Sequence, residues 1–167
     1  ELPALAADYP RAGAWVLEAA YTDGGGGPVG PLAAQTRAVV RTLTVEAEHA
    51  DARSGTQLLD STSASAGRFV GAIDHGNWLS FGEVDLTGLA RVACRTSSAG
   101  AGGTLELRLD GPAGRLVAAA EIVPNGAWED WRETDLVLAP SGGLHELFVL
   151  FRNEQSPSAL MNLDALR

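Results

Sequence analysis

Apolar and polar residues alternate with a period of two in short runs along most of the chain, the spacing that sends successive side chains to opposite faces of a strand. The run 67–81, GRFVGAIDHGNWLSF, carries this pattern twice. Phe69, Gly71 and Ile73 alternate with Arg68, Val70 and Ala72; Asp74, His75, Gly76 and Asn77 interrupt them; Trp78 to Phe81 resume the extended pattern. A strand, a tight turn and a second strand joined as a hairpin are predicted. Further strands are predicted over residues 43–48, 57–59, 91–96, 104–109, 115–122, 131–137, 145–151 and 161–166, with Gly-, Asp-, Asn- and Ser-containing turns between them. Leu105, Leu107 and Leu109 alternate with Glu106, Arg108 and Asp110, so one face of that strand meets a core and the other meets water. Residues 147–151 are apolar on both faces, which predicts a central strand. Many short strands with no long segment of helical period predict an all-β fold, a jelly-roll β-sandwich of two antiparallel sheets.

The first 42 residues read differently. An alternating run from Trp15 to Tyr21 stops at Asp23 and four consecutive glycines, and Pro28 and Pro31 predict irregular chain until an extended pattern resumes at Ala38. This predicts an N-terminal extension over 1–42, either an added hairpin or the tail of a preceding domain, ahead of one module over 43–167. The glycine run is no phosphate loop, because no Lys-Ser/Thr pair and no helix signal follow it.

Charge narrows the partners. The net charge is −9 and all 12 basic residues are Arg, which disfavours nucleic acid and anionic membrane, since both need a positive face. No apolar run approaches the roughly 20 residues that span a bilayer. The single Cys94 has no internal disulfide partner and reads as a small buried hydrophobe. Catalysis is not expected. His49, His75 and His145 lack zinc-site spacing, no Gly-x-Ser-x-Gly turn is present, and the adjacent Glu129 and Asp130 point to opposite faces and cannot flank one bond.

Five local patterns occur in one order: Val45-Glu46-Ala47-Glu48; Ser54-Gly55-Thr56-Gln57; Val70-Gly71-Ala72-Ile73-Asp74 through Asn77-Trp78; Asn125-Gly126-Ala127-Trp128 with Trp131; and Met161-Asn162-Leu163-Asp164. Together, over about residues 43–167, they resemble carbohydrate-binding module family 6, jelly-roll sandwiches attached to secreted glycan-active enzymes. The resemblance implies a non-catalytic, extracellular module that tethers parent enzyme domains, in the same polypeptide, to a polysaccharide or oligosaccharide. It implies a stacking tryptophan at Trp128 and a hydrogen-bonding amide at Asn162 in a loop-end cleft, which suits a sugar ring's apolar C–H face and its hydroxyls. Ala72 stands where the family has a second aromatic, so the cleft is expected to be one-sided, completed by His75 or Tyr21, or abandoned in favour of a structural or protein-interaction role. A second family site, on one sheet face, matches Trp78 and Ser80; a core tryptophan is the plainer reading of Trp78.

The resemblance also implies a structural calcium held by Glu46, Glu48 and Asp164, with backbone carbonyls near Arg68 completing the shell. Glu46 and Glu48, two apart on a predicted strand, send both carboxylates to one face, where a hard cation relieves their repulsion. Two solvated glutamates beside Arg37 or Arg41 are the plainer alternative.

Overall fold

The computed structural model describes residues 15–26, 28, 30–40 and 42–167. Thirteen strands are present among them, with one turn of 3₁₀ helix. They form two facing sheets and a separate hairpin, as the alternating pattern predicts.

One sheet has the order β10–β9–β12–β7–β4, built from β4 (Ala52–Ser54), β7 (Trp78–Asp85), β9 (Gly103–Leu109), β10 (Arg115–Ile122) and β12 (Leu144–Arg152). The other has the order β11–β8–β13–β6–β5, built from β5 (Gln57–Asp60), β6 (Arg68–Gly71), β8 (Arg91–Ser98), β11 (Ala127–Val137) and β13 (Asn162–Leu166). A two-residue strand, β3 (Val45–Glu46), adds to β13. Between the sheets lie Leu79, Phe81, Leu105, Leu107, Leu136, Val149, Phe151 and Leu163, all buried. β12 runs between β9 and β7, and its residues Leu147 to Phe151 are buried on both faces, as expected of a central strand. Glu106 and Arg108, on the outer face of β9, pair at 2.7 Å. Burial pushes the Cys94 thiol up to about 12, and the side chain is fully buried, so it serves as core.

The expected hairpin at 74–77 is not one. β6 and β7 belong to opposite sheets, and the turn carries the chain across the sandwich. Asn77 Oδ1 accepts from the Asp74 amide at 2.8 Å, and the His75 amide donates to the Pro157 carbonyl at 2.7 Å, so the corner is pinned to the loop between β12 and β13. A turn followed by an extended run is common to a hairpin and to a sheet-switching corner, and periodicity alone does not separate them.

In the N-terminal extension, β1 (Trp15–Thr22) pairs with β2 (Ala33–Val40). β2 begins five residues before the predicted restart, because Asp23 closes the loop by accepting from the Gly25 and Leu32 amides at 3.0 and 2.9 Å. Arg37 links the hairpin to β7 through Glu83 at 2.8 Å, instead of meeting the acidic residues after β3. Residues 1–14 and Arg41 lie outside the described residues.

Leu107→Ala is expected to lower unfolding stability by about 2–5 kcal/mol, the range for a large-to-small change in a closed core. Denaturant unfolding measures this, and a loss below about 1 kcal/mol would contradict the placement of β9 over the sandwich centre.

Candidate functional site

β13 is short, and every one of its five residues is buried. One edge pairs with β8; the other meets β3 at Ala165 and Leu166 and β6 at Leu163. Asp164 is skipped in all three registers, standing at a bulge between Leu163 and Ala165. A bulge turns a side chain away from its ladder position. It turns Asp164 into an acidic cluster, while Asn162 sits at the sheet's rim.

At that rim β11 bulges too. Its pairing with β8 jumps from Ala127 opposite Ser98 to Arg132 opposite Thr96, so residues 128–131 arch over Ser97. The predicted strand begins at Trp131; the observed one begins at Ala127, and this arch carries Trp128. The Trp128 carbonyl accepts from the Asn162 amide at 2.8 Å and from the Ser97 hydroxyl. With the backbone held from below, the indole is 42% exposed while Asn162 is 4% exposed. Trp128 and Asn162 share a cleft of about 370 Å³ with Leu59, Phe69, Ala72, Ile73, Glu129, Ala159 and Met161. Two glycines make room for it. A Cβ on Gly100 would lie 1.8 Å from the Ala159 carbonyl oxygen and 2.7 Å from Trp128 Cη2, and one on Gly71 would lie 2.9 Å from Asn162 Oδ1. Trp131, at the start of the predicted strand, is half-buried and lies outside the core. It packs on the outer sheet face, edge-on to Phe69 at 5.2 Å and under the Arg95 guanidinium at 5.2 Å.

The other predicted sugar-site residues lie elsewhere. Ala72 lines the cleft, exposed and at a left-handed φ of 52°, and offers no ring. His75 is not among the cleft's lining residues; its Nδ1 accepts from the Asn153 amide at 3.0 Å. Tyr21 stands 70% exposed on the hairpin and does not line the cleft. Trp78 is half-buried on the outer face of the five-stranded sheet, its ring 5.5 Å from Phe148 and tilted at 60°. Ser80 is buried and donates to Glu146 at 2.7 Å.

The acidic residues do assemble, though not on one strand. β3 ends at Glu46, and Glu48 lies in the 3₁₀ turn Ala47–His49, because Ala165 is the last β13 residue that β3 can pair. The Ser65 hydroxyl lies 2.5 Å from Glu46 Oε2 and 2.8 Å from Asp164 Oδ2, its single hydrogen shared between them, and the Ser65 amide donates to Asp164 Oδ1 at 3.0 Å. Arg95 pairs with Asp164, and Arg68 pairs with Asp60 at 3.0 Å. Burial raises the Glu48 carboxyl above its ordinary value; Glu46 and Asp164 push the same way, and Arg68 opposes them. Glu48 Oε2 is buried with no hydrogen-bond partner. Among the described residues, no three acidic, histidine or cysteine side chains already stand close enough to hold a metal ion. The donor chemistry nonetheless suits a hard cation, for three carboxylates repel one another here and one buried oxygen lacks a donor.

Pattern reading missed the serines that join these two places. The segment 61–65 crosses the outer face of the six-stranded sheet. Ser61 and Ser63 donate to Glu129 Oε2 at 2.5 and 2.7 Å, and Trp131 Nε1 donates to Ser63 at 2.9 Å. Their alternation as Ser61, Ser63 and Ser65 was the available signal, but it names no partner.

The family model for carbohydrate binding module (family 6) matches residues 46–167. The chain belongs to carbohydrate-binding module family 6. A family 6 module from Clostridium cellulolyticum, solved in complex with xylose, superposes on the family 6 fold here with TM-score 0.67 and 27% identity, covering 74% of this chain and 93% of that one. A glycoside hydrolase family 43 arabinoxylan arabinofuranohydrolase from Bacillus subtilis, solved in complex with cellotetraose, matches with TM-score 0.67 and 26% identity, over 74% of this chain and 26% of that one. The arabinoxylan arabinofuranohydrolase of Paenibacillus polymyxa is 30% identical over 126 residues, 72% of this chain and 20% of its own. The family 6 chain thus spans about a fifth of the length of the curated hydrolases it matches. Among the described residues, no helix is long and apolar enough to cross a membrane.

A carboxyl raised above its ordinary value of 4.5 binds its proton more tightly folded than unfolded, so its contribution to stability falls as pH rises through that window. Asp85, Asp110 and Glu129 are shifted the other way, and their contribution is lost only as pH falls below the ordinary carboxylate range. In chelator, Glu48→Gln is expected to raise the melting temperature at neutral pH and to flatten its dependence on pH in the range just above the ordinary value of 4.5. A variant with the wild-type slope would show that Glu48 carries no such load.

Proposed function

We propose that the cleft beside Trp128 binds a saccharide ring, and that the module holds a secreted glycan-active enzyme against its polysaccharide. One observation carries this reading: Trp128 is anchored through its backbone by Asn162 and Ser97 while its indole stays exposed over the cleft. A fixed, half-exposed ring costs little further order on binding and offers an apolar face to sugar C–H groups. Asn162, 4% exposed at the cleft floor, supplies a hydrogen-bonding amide. Tethering raises the local concentration of a linked catalytic domain and lowers no barrier itself.

Calcium belongs to the same reading. Glu46, Glu48 and Asp164 would hold the ion with backbone carbonyls near Arg68, and the ion would supply the positive charge that the buried Glu48 oxygen lacks. What the chain itself contributes is position: β3 and β13 bring Glu46 beside the Asp164 bulge, and Ser65 bridges the two carboxylates. The face carrying Trp78 and Ser80 serves at most as an additional surface, since the Ser80 hydroxyl is spent on Glu146.

Ala72 favours a second reading, an interaction module whose sugar site has been lost, because Ala72 offers no second ring and the other aromatic lining the cleft, Phe69, is only 4% exposed, whereas stacking on two sides is stronger. Affinity electrophoresis through arabinoxylan, β-1,3-glucan and hydroxyethyl cellulose separates the two. The first reading predicts retention on at least one polymer and a weakening of roughly tenfold or more, about 1.4 kcal/mol, in Trp128→Ala. Equal retention of the variant would move the site to the Trp78 face, and no retention on any polymer would support the second reading.

A further inference from the structure

We propose that Glu129 makes this cleft select uncharged glycans over glycans that carry uronic acid. The inference rests on the reading that the cleft binds sugar, and it names which sugars. Among the described residues lining the cleft, Glu129 is the one charged group; the rest are apolar side chains and the neutral Asn162. No arginine or histidine lines the cleft to receive a sugar carboxylate. Arg95 and Arg132, on the flanking strands, are engaged by Asp164 and Asp130.

Glu129 follows Trp128 directly in the β11 arch, and the two line the same cleft. Two serine hydroxyls hold it in place. Ser61 and Ser63 both donate to Oε2, and Ser63 is itself positioned by the Trp131 indole N–H, whose ring is wedged against Phe69. Oε1 accepts from no described residue and is left to meet sugar hydroxyls. A carboxylate that accepts hydrogen bonds keeps its charge, and these two hold Glu129 below its ordinary value, so the cleft stays negative through the mildly acidic range. Asp74, which accepts from the Ala159 amide at 2.7 Å, adds a second carboxylate beside a lining residue. A hydroxyl arriving at Glu129 donates a charge-assisted hydrogen bond, whereas a second carboxylate meets repulsion and has no cation to offset it. With Ala72 providing no opposing ring, this polar contact decides more of the binding than it would in a two-sided cleft.

The test uses matched probes and calorimetric titration of the whole chain: cellotetraose against its C6-carboxylated counterpart, and xylotetraose against xylotetraose bearing one glucuronic acid. The wild type is expected to prefer the uncharged member of each pair by roughly fivefold or more at low salt, with the preference shrinking as salt is raised. Glu129→Gln keeps an acceptor for Ser61 and Ser63 and is expected to bring each pair within roughly twofold, chiefly by improving the acidic member. Glu154→Gln removes one charge far along the chain, on the partner of Arg152, and is expected to leave the preference unchanged. Binding of the uncharged probes with no discrimination, or with discrimination that Glu129→Gln leaves intact, overturns this inference alone. Binding of no probe by any folded variant, judged by an unchanged melting curve, overturns the cleft reading along with it.

Discussion

A single short strand sets the terms for both candidate sites. β13 has Asn162 at its rim end and Asp164 two residues later, and the sheet closes around it from both edges, so neither side chain has freedom to be elsewhere. A regular strand would send both residues to the same face at ladder positions. The bulge at Asp164 breaks that equivalence. It leaves Asn162 to grip the Trp128 backbone and drives Asp164 into a pocket of carboxylates and serines, where burial is tolerable because Ser65 and Arg95 satisfy it. The apolar core exists in part to hold this strand still, since Leu163 and Leu166 anchor it between the sheets.

The strap from Ser61 to Ser65 is the second element on which function leans. Its ends reach the acidic cluster through Ser65 and the cleft through Ser61 and Ser63, so the two places share one covalent segment and one patch of packing between Arg95, Trp131 and Phe69. An ion held between Glu46 and Asp164 would therefore act on the loop that also orients Glu129. The cleft's chemistry is that of an indole held through its backbone, a buried amide and one fixed carboxylate, a set suited to hydroxyl-bearing rings.

Much of this was legible in residue order. The alternation of Leu105, Leu107 and Leu109 and the doubly apolar run 147–151 specify an outer and a central strand, because burial on one face or two leaves a direct mark on which positions are apolar. Family motifs singled out Trp128, Asn162, Glu46, Glu48 and Asp164; Trp128 and Asn162 line one cleft, and Ser65 joins Glu46 to Asp164 with Glu48 nearby. The turn at 74–77 was legible as a turn but not as a corner between sheets, because both need the same residues. Glu48 was misread as a strand residue since two-residue spacing gives no sign of where a ladder must end for another strand to take over. The parts that tertiary structure alone decides left no readable mark: Ser61 and Ser63 reach Glu129 across more than sixty residues, and Arg95 reaches Asp164 across a similar span.

Where a sugar touches the protein decides between the Trp128 cleft and the Trp78 face. Titrating ¹⁵N-labelled chain with xylotetraose or cellotetraose while following the four tryptophan indole resonances distinguishes the surfaces in one experiment. The Trp128 indole and the Asn162 side-chain amide are predicted to move together with ligand concentration while Trp78 stays fixed; movement of Trp78 with Trp128 unmoved would contradict the central claim.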